Sequence, residues 1–144
     1  MLKLGSILLC LWSVLNLLPS TWILVSILFR GGNAPGLTGV LTEPQVRALG
    51  REALAAANSI AVFANGLNVA FCLLFTVVVW RGLARQSPWV FWALSASALV
   101  ALLAGVGADY MVGTRFPAVN LVSGLLLAAG FSCCAPTIFR RAGS

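Results

Sequence analysis

Acid–base, nucleophilic and metal chemistry each need particular side chains, and this sequence carries few of them. It has no histidine, three carboxylates (Glu43, Glu52 and Asp109), four cysteines and nine Lys or Arg. Without an imidazole the commonest proton shuttle and metal ligand is missing. Neither a Ser-His-Asp nor a Cys-His arrangement is possible. The glycines are scattered, and no phosphate-cradling G-x-G-x-x-G or P-loop follows a strand. The richest remaining constellation is Arg47, Arg51, Glu52, Asn58, Asn65, Asp109, Arg115 and Asn120. Arginines beside amides suit an anionic group, such as a lipid headgroup or a carboxylate. The plainer reading of Asp109 and Arg115 is an ion pair that closes a short turn, worth little when solvated.

The thiols of Cys10, Cys72, Cys133 and Cys134 form a second constellation, spread over three apolar runs. A common depth is what a soft-metal thiolate site needs. Against it, free cysteine behaves as a small hydrophobe, hydrocarbon disfavours the thiolate, and no CxxC spacing occurs. No metal and no cofactor is expected.

These residues must be positioned by elements that the composition defines closely. Apolar residues make up 60% and charged residues 8% of the chain, against about 25% charged in soluble domains. Too few charges remain to cover a water-exposed surface. Disorder is excluded by the same apolar excess. The +6 net charge forms no single basic stripe, so nucleic acid is not an expected partner. Four uncharged runs of more than about 20 residues, enough to cross a bilayer, predict transmembrane helices over about 4–29, 53–80, 88–108 and 117–139. Their continuous apolarity is unlike the alternation of a barrel strand. The first run is too long for a signal-peptide core. The predicted fold is an all-α membrane protein: one integral domain over 1–144, a four-helix bundle running up-down-up-down, with a helical extension before the second span.

Orientation follows the basic residues. Lys3, Arg81, Arg85, Arg140 and Arg141 fall on one side, and Arg30, Arg47, Arg51 and Arg115 on the other. This places both termini in the cytoplasm and the arginine–amide constellation at the outer mouth, in a membrane of the bacterial inner type. Trp80, Trp89 and Trp92 gather at the cytoplasmic interface, where an indole keeps its ring apolar and its N–H wet. Trp12 lies deeper, as a packing residue. In the first loop, Thr42 with Gln45 resembles a capping box, so a helix starts near residue 43. If unbroken to Trp80 it would be nearly twice as long as the hydrocarbon is thick. It therefore stands partly outside the membrane or bends at Gly50 or Gly66.

Polar residues inside the spans fall into stripes. At 100° per residue, Arg47, Arg51, Asn58, Asn65 and Thr76 share about 40° of arc, with Asn68 flanking them. Ser6, Ser13 and Ser20 line the first span, with Asn16 on their edge. Such faces must point inward. They are either hydrogen-bonded glue between helices or the lining of a cavity. Asn65-Gly66 and Pro19 mark kinks or, at a transport site, unwound backbone. Ala93, Ser97, Ala101, Gly105 and Asp109, and likewise Asn120, Gly124, Ala128, Ser132 and Pro136, are spaced by four. These small-residue ladders predict a close antiparallel hairpin or a face for another subunit.

Three enzyme families of similar size fail on their signature residues. The membrane-associated eicosanoid and glutathione enzymes need a Glu one turn after the second-span Asn, where this chain has Ser59-Ile60-Ala61. Asn65 to Phe71 resembles a lipoprotein signal peptidase motif, but those enzymes need two aspartates and only Asp109 is present. The quinone-reducing disulfide enzymes need paired loop cysteines. The expectation is a non-catalytic accessory or assembly component that binds membrane lipid, an apolar ligand, a partner membrane protein or a second copy through small-residue helix faces. The alternatives are a small transporter or channel with a polar path along the second span, and a membrane enzyme acting on a lipophilic substrate at the outer mouth.

Overall fold

The computed structural model describes residues 1–30, 43–112 and 117–142, whose regular structure is entirely helical. The helices are α1 (Leu2–Arg30), α2 (Glu43–Ala48), α3 (Arg51–Gly82), α4 (Pro88–Val112) and α5 (Pro117–Ala142), with a 3-10 turn at Leu83–Arg85. Four segments are long and apolar enough to cross a membrane: Leu2–Phe29, Arg51–Gly82, Pro88–Gly107 and Ala118–Arg140. They agree within three residues with the uncharged runs. Large apolar side chains face outward on all four, among them Ile7, Leu18, Phe63, Leu74, Leu99, Val100, Leu121 and Leu125. That is far more exposed apolar surface than a water-soluble monomer carries.

The helix is interrupted at Gly50 and runs without interruption through Gly66. The Leu49 N–H donates to the Val46 carbonyl at 3.2 Å, ending α2, and the Leu54 N–H donates to the Gly50 carbonyl at 3.0 Å, opening α3. Val46 is buried and anchors the short α2. Helix α3 continues through Asn65-Gly66, and α1 continues through Pro19. The unwound backbone of a transport site is therefore absent at both places. Thr42, half of the expected capping box, lies outside the described residues.

The chain divides into two compact units, Met1–Val14 with Leu73–Ser144, and Leu15–Cys72. In the first, α4 and α5 pack antiparallel. Phe91 meets Phe139 and Phe131 edge-on at ring separations of 5.3 and 5.5 Å. At the other end of the pair, a Cβ built on Gly105 would lie 3.5 Å from Asn120 Oδ1, and one on Gly124 would lie 3.7 Å from Leu102. Helix α1 crosses α5 much more closely. A Cβ on Gly130 would lie 2.8 Å from Leu9, and one on Gly5 would lie 2.6 Å from the Gly130 carbonyl and run into Cys134 Sγ. The small-residue ladders thus hold only in part. Ser97, Ala128, Ser132 and Pro136 are exposed, while Leu127, Gly130, Cys134 and Ile138 are buried. A strict spacing of four advances about 40° per step, so such a ladder winds off the contact face within a few turns. The true seam mixes steps of three and four.

Trp12 is buried in this unit against Phe75, with ring centroids 5.0 Å apart. Beside it the Thr76 hydroxyl donates to Ser13 Oγ at 3.0 Å. The α3–α4 turn is tight. A Cβ on Gly82 would lie 2.7 Å from Val90, Leu83 is fully buried, and Gln86 closes the turn in the left-handed region at φ 54°.

Candidate functional site

In the unit Leu15–Cys72, α3 begins with exposed Arg51 and Glu52. One and a half turns further on stands Asn58, half-buried, whose Oδ1 is buried with no hydrogen-bond partner among the described residues. Two turns beyond, Asn65 Nδ2 donates to its own helix, at the Ala61 carbonyl, at 2.8 Å. The contact to the first span is made by Asn68 instead. Its Nδ2 donates to Ser20 Oγ at 2.7 Å, and the Cys72 thiol approaches Asn68 Oδ1 at 3.9 Å. Ser20 is buried, as is Ser13 in the other unit, so the serine stripe of α1 does point inward.

In this unit the polar stripe of α3 therefore grips through its flanking amide, about 60° round the helix from Asn65. Asn68 is three residues from Asn65, or 300° round the helix. Round the helix the buried Phe75 and Val79 lie nearer Asn68, while the buried Cys72 lies nearer Asn65. The flanking amide Asn68 and the stripe's own Thr76 carry interhelical bonds, to Ser20 and Ser13, while Asn65 turns back on its own helix.

Other polar side chains in the spans are quenched by their own helix. The hydroxyls of Thr21, Ser59, Ser95 and Ser97 donate to carbonyls four residues earlier, at 2.7–2.9 Å. This is how a hydroxyl persists next to hydrocarbon without a partner helix.

The remaining site candidates divide between the units. Asn120 is half-buried and abuts Gly105 within the α4–α5 pair. Asp109 lies on α4 and Arg47 on α2, but their side chains, like the whole of Arg115, lie outside the described residues. The described side chains thus bring Asn120 onto α4 and Asn58 into a buried position, and they assemble no acid–base pair.

All four cysteines are free thiols. Cys134 is buried, its Sγ 3.9 Å from the Leu2 carbonyl at the α1–α5 crossing, and Cys72 sits by Asn68. Among the described residues no three His, Cys, Asp or Glu side chains come together in a way that would hold a metal ion. Compared with protein families, with curated proteins and with solved structures, the chain matches none of them.

Proposed function

We propose that the chain is a multi-pass membrane protein whose helices form an up-down-up-down bundle and that it acts as a non-catalytic accessory or assembly component. One observation carries this reading: seven polar side chains of the spans are engaged in holding helices together or in bonding back to their own helix. Asn68 donates to Ser20, Thr76 donates to Ser13, and Asn65, Thr21, Ser59, Ser95 and Ser97 bond back to their own helices. A conduction path or a reaction site would need such groups turned to water or substrate. Exposed small residues on α5 (Ala128, Ser132 and Pro136) leave room for the close approach of a second helix. That helix belongs to a partner membrane protein or to another copy of the chain.

Packing supports the alternating topology. Helix α1 meets α5 through Leu2 with Cys134 and Leu9 with Gly130, in opposite chain order. Helices α4 and α5 are antiparallel, and the short turn at 83–87 reverses α3 into α4. Bilayer insertion with both termini cytoplasmic, in a bacterial inner membrane, follows from the basic residues and the exposed Trp80, Trp89 and Trp92 on one side. Single-cysteine labelling, with the native cysteines replaced, tests it. Residue 86 should be shielded from a membrane-impermeant maleimide in intact cells and residue 35 should react; the reverse would overturn the orientation.

A second reading, a ligand groove at the outer end of α3, is favoured by the buried Asn58 Oδ1 that lacks a donor. Photo-crosslinking from Ala128 and Ser132 separates the two. A discrete protein adduct supports the assembly role. Lipid adducts alone, together with solute flux through reconstituted vesicles, would contradict it.

A further inference from the structure

We infer that the end of the molecule carrying the α3–α4 turn is a binding surface for anionic phospholipid headgroups. The inference rests on the membrane-embedded reading above. Lys3, Arg81, Arg85 and Arg140 are all exposed there. Leu2 touches Cys134 at the α1–α5 crossing, six residues before Arg140, so the start of α1 and the close of α5 share this end. Phe139, next to Arg140, packs on Phe91 and on Trp92 at 5.3 and 5.9 Å, which ties Arg140 to the start of α4. The buried Leu83 and the closely packed Gly82 hold the turn in one shape, with Arg81 and Arg85 on its outside.

Among the described side chains of this unit there is no carboxylate. Asp109 is twenty residues along α4 from Trp89, about 30 Å at 1.5 Å per residue, beyond the ~8 Å over which salt leaves a charge felt. Trp89 and Trp92 are 76% and 62% exposed beside the cations. An indole prefers the depth at which headgroups begin. Clustered positive charge with no described carboxylate in its own unit, flanked by interfacial aromatics, matches a phosphodiester with an acyl tail. An acidic protein segment or an RNA would satisfy the charge but leave the indoles without their apolar half-environment.

The test uses the full chain in phosphatidylcholine vesicles doped with brominated phosphatidylglycerol or brominated phosphatidylcholine, with quenching of tryptophan fluorescence as the readout. The glycerol lipid should be preferred by about tenfold or more, and the preference should fall about fivefold for Arg81→Gln and again for Arg85→Gln. Arg30→Gln should leave it unchanged, and 0.5 M salt should weaken it. The Arg81→Lys/Arg85→Lys variant, which keeps the charge, should retain most of the preference. Equal quenching by the two lipids, or an equal loss in Arg30→Gln, would overturn the proposal, as would loss in the lysine variant at an unchanged melting temperature. Carbonate extraction reports the embedding separately: release of the chain would overturn both readings, whereas retention with no lipid preference would sink this one alone.

Discussion

In the unit built from Met1–Val14 and Leu73–Ser144, α1 meets α5 at two glycines, Gly5 and Gly130, and aromatic rings fill the space around Phe91. In the unit Leu15–Cys72, the contact between α1 and α3 runs through an amide and a hydroxyl, Asn68 and Ser20, and nothing lies within 4 Å of a Cβ built on Gly66. Hydrocarbon offers no hydrophobic force between helices, so association draws on close packing or on hydrogen bonds. The first unit combines them, adding the Thr76–Ser13 hydrogen bond to its glycine crossing, whereas the second relies on the hydrogen bond. Close packing fails by collision, and a hydrogen-bonded contact fails by leaving a donor or acceptor unanswered.

The largest effect should follow from breaking the glycine crossing. Gly130→Leu places its side chain in Leu9 and toward the Gly5 carbonyl, and should destabilise by about 3 kcal/mol or prevent folding. Melting curves in detergent would show this. Gly124→Leu, whose Cβ meets only Leu102 at an ordinary 3.7 Å, should be much milder; equal losses would mean that the crossing is not at Gly130.

Next in size is the polar contact. Asn68→Leu removes the donor to Ser20 inside the span and should lower stability by about 1–2 kcal/mol. Asn65→Leu loses only a bond to its own helix and should cost about 0.5 kcal/mol or less. Were the order reversed in melting experiments, the seam of α3 would lie on Asn65 and the 60° offset would be wrong.

Asn58 sharpens the contrast further. Its Oδ1 is buried without a donor, so Asn58→Leu should be neutral or stabilising by up to about 1 kcal/mol. A loss of more than 1 kcal/mol would reveal a bound partner at the outer end of α3. The smallest effect belongs to Gly66→Ala. With open space around the Cβ, it should be neutral or stabilising by about 0.5–1 kcal/mol, from helix propensity alone.

The ease of reading differed along the chain for physical reasons. The four spans were legible because hydrocarbon demands about 20 unbroken apolar residues, and the uncharged runs end within three residues of the helix segments. The break at Gly50 was legible as one of two glycine positions in an over-long helix. The seams were not. Spacings of four in α4 and α5 look like one face over two turns and drift off it over four, so Ala128 and Ser132 read as contacts but are exposed. Gly5 and Gly130 are isolated glycines in different spans, and no local pattern pairs them. Among the site residues, Asn58 is half-buried with its Oδ1 enclosed, as an inward stripe requires, while Arg51 and Glu52 are exposed at the helix start. The grip of Asn68 was missed because a helical wheel cannot tell the centre of a polar stripe from its edge.

The most direct test of structural rather than path-lining polar groups is a double-mutant cycle on Asn68→Leu and Ser20→Ala, measured by reversible unfolding in detergent. If the pair is interhelical glue, the two losses should couple, with an interaction energy of about 0.6–2 kcal/mol. If water solvates both side chains along a path, each change will be small and the two will add, and a coupling near zero would contradict the glue and favour the transporter.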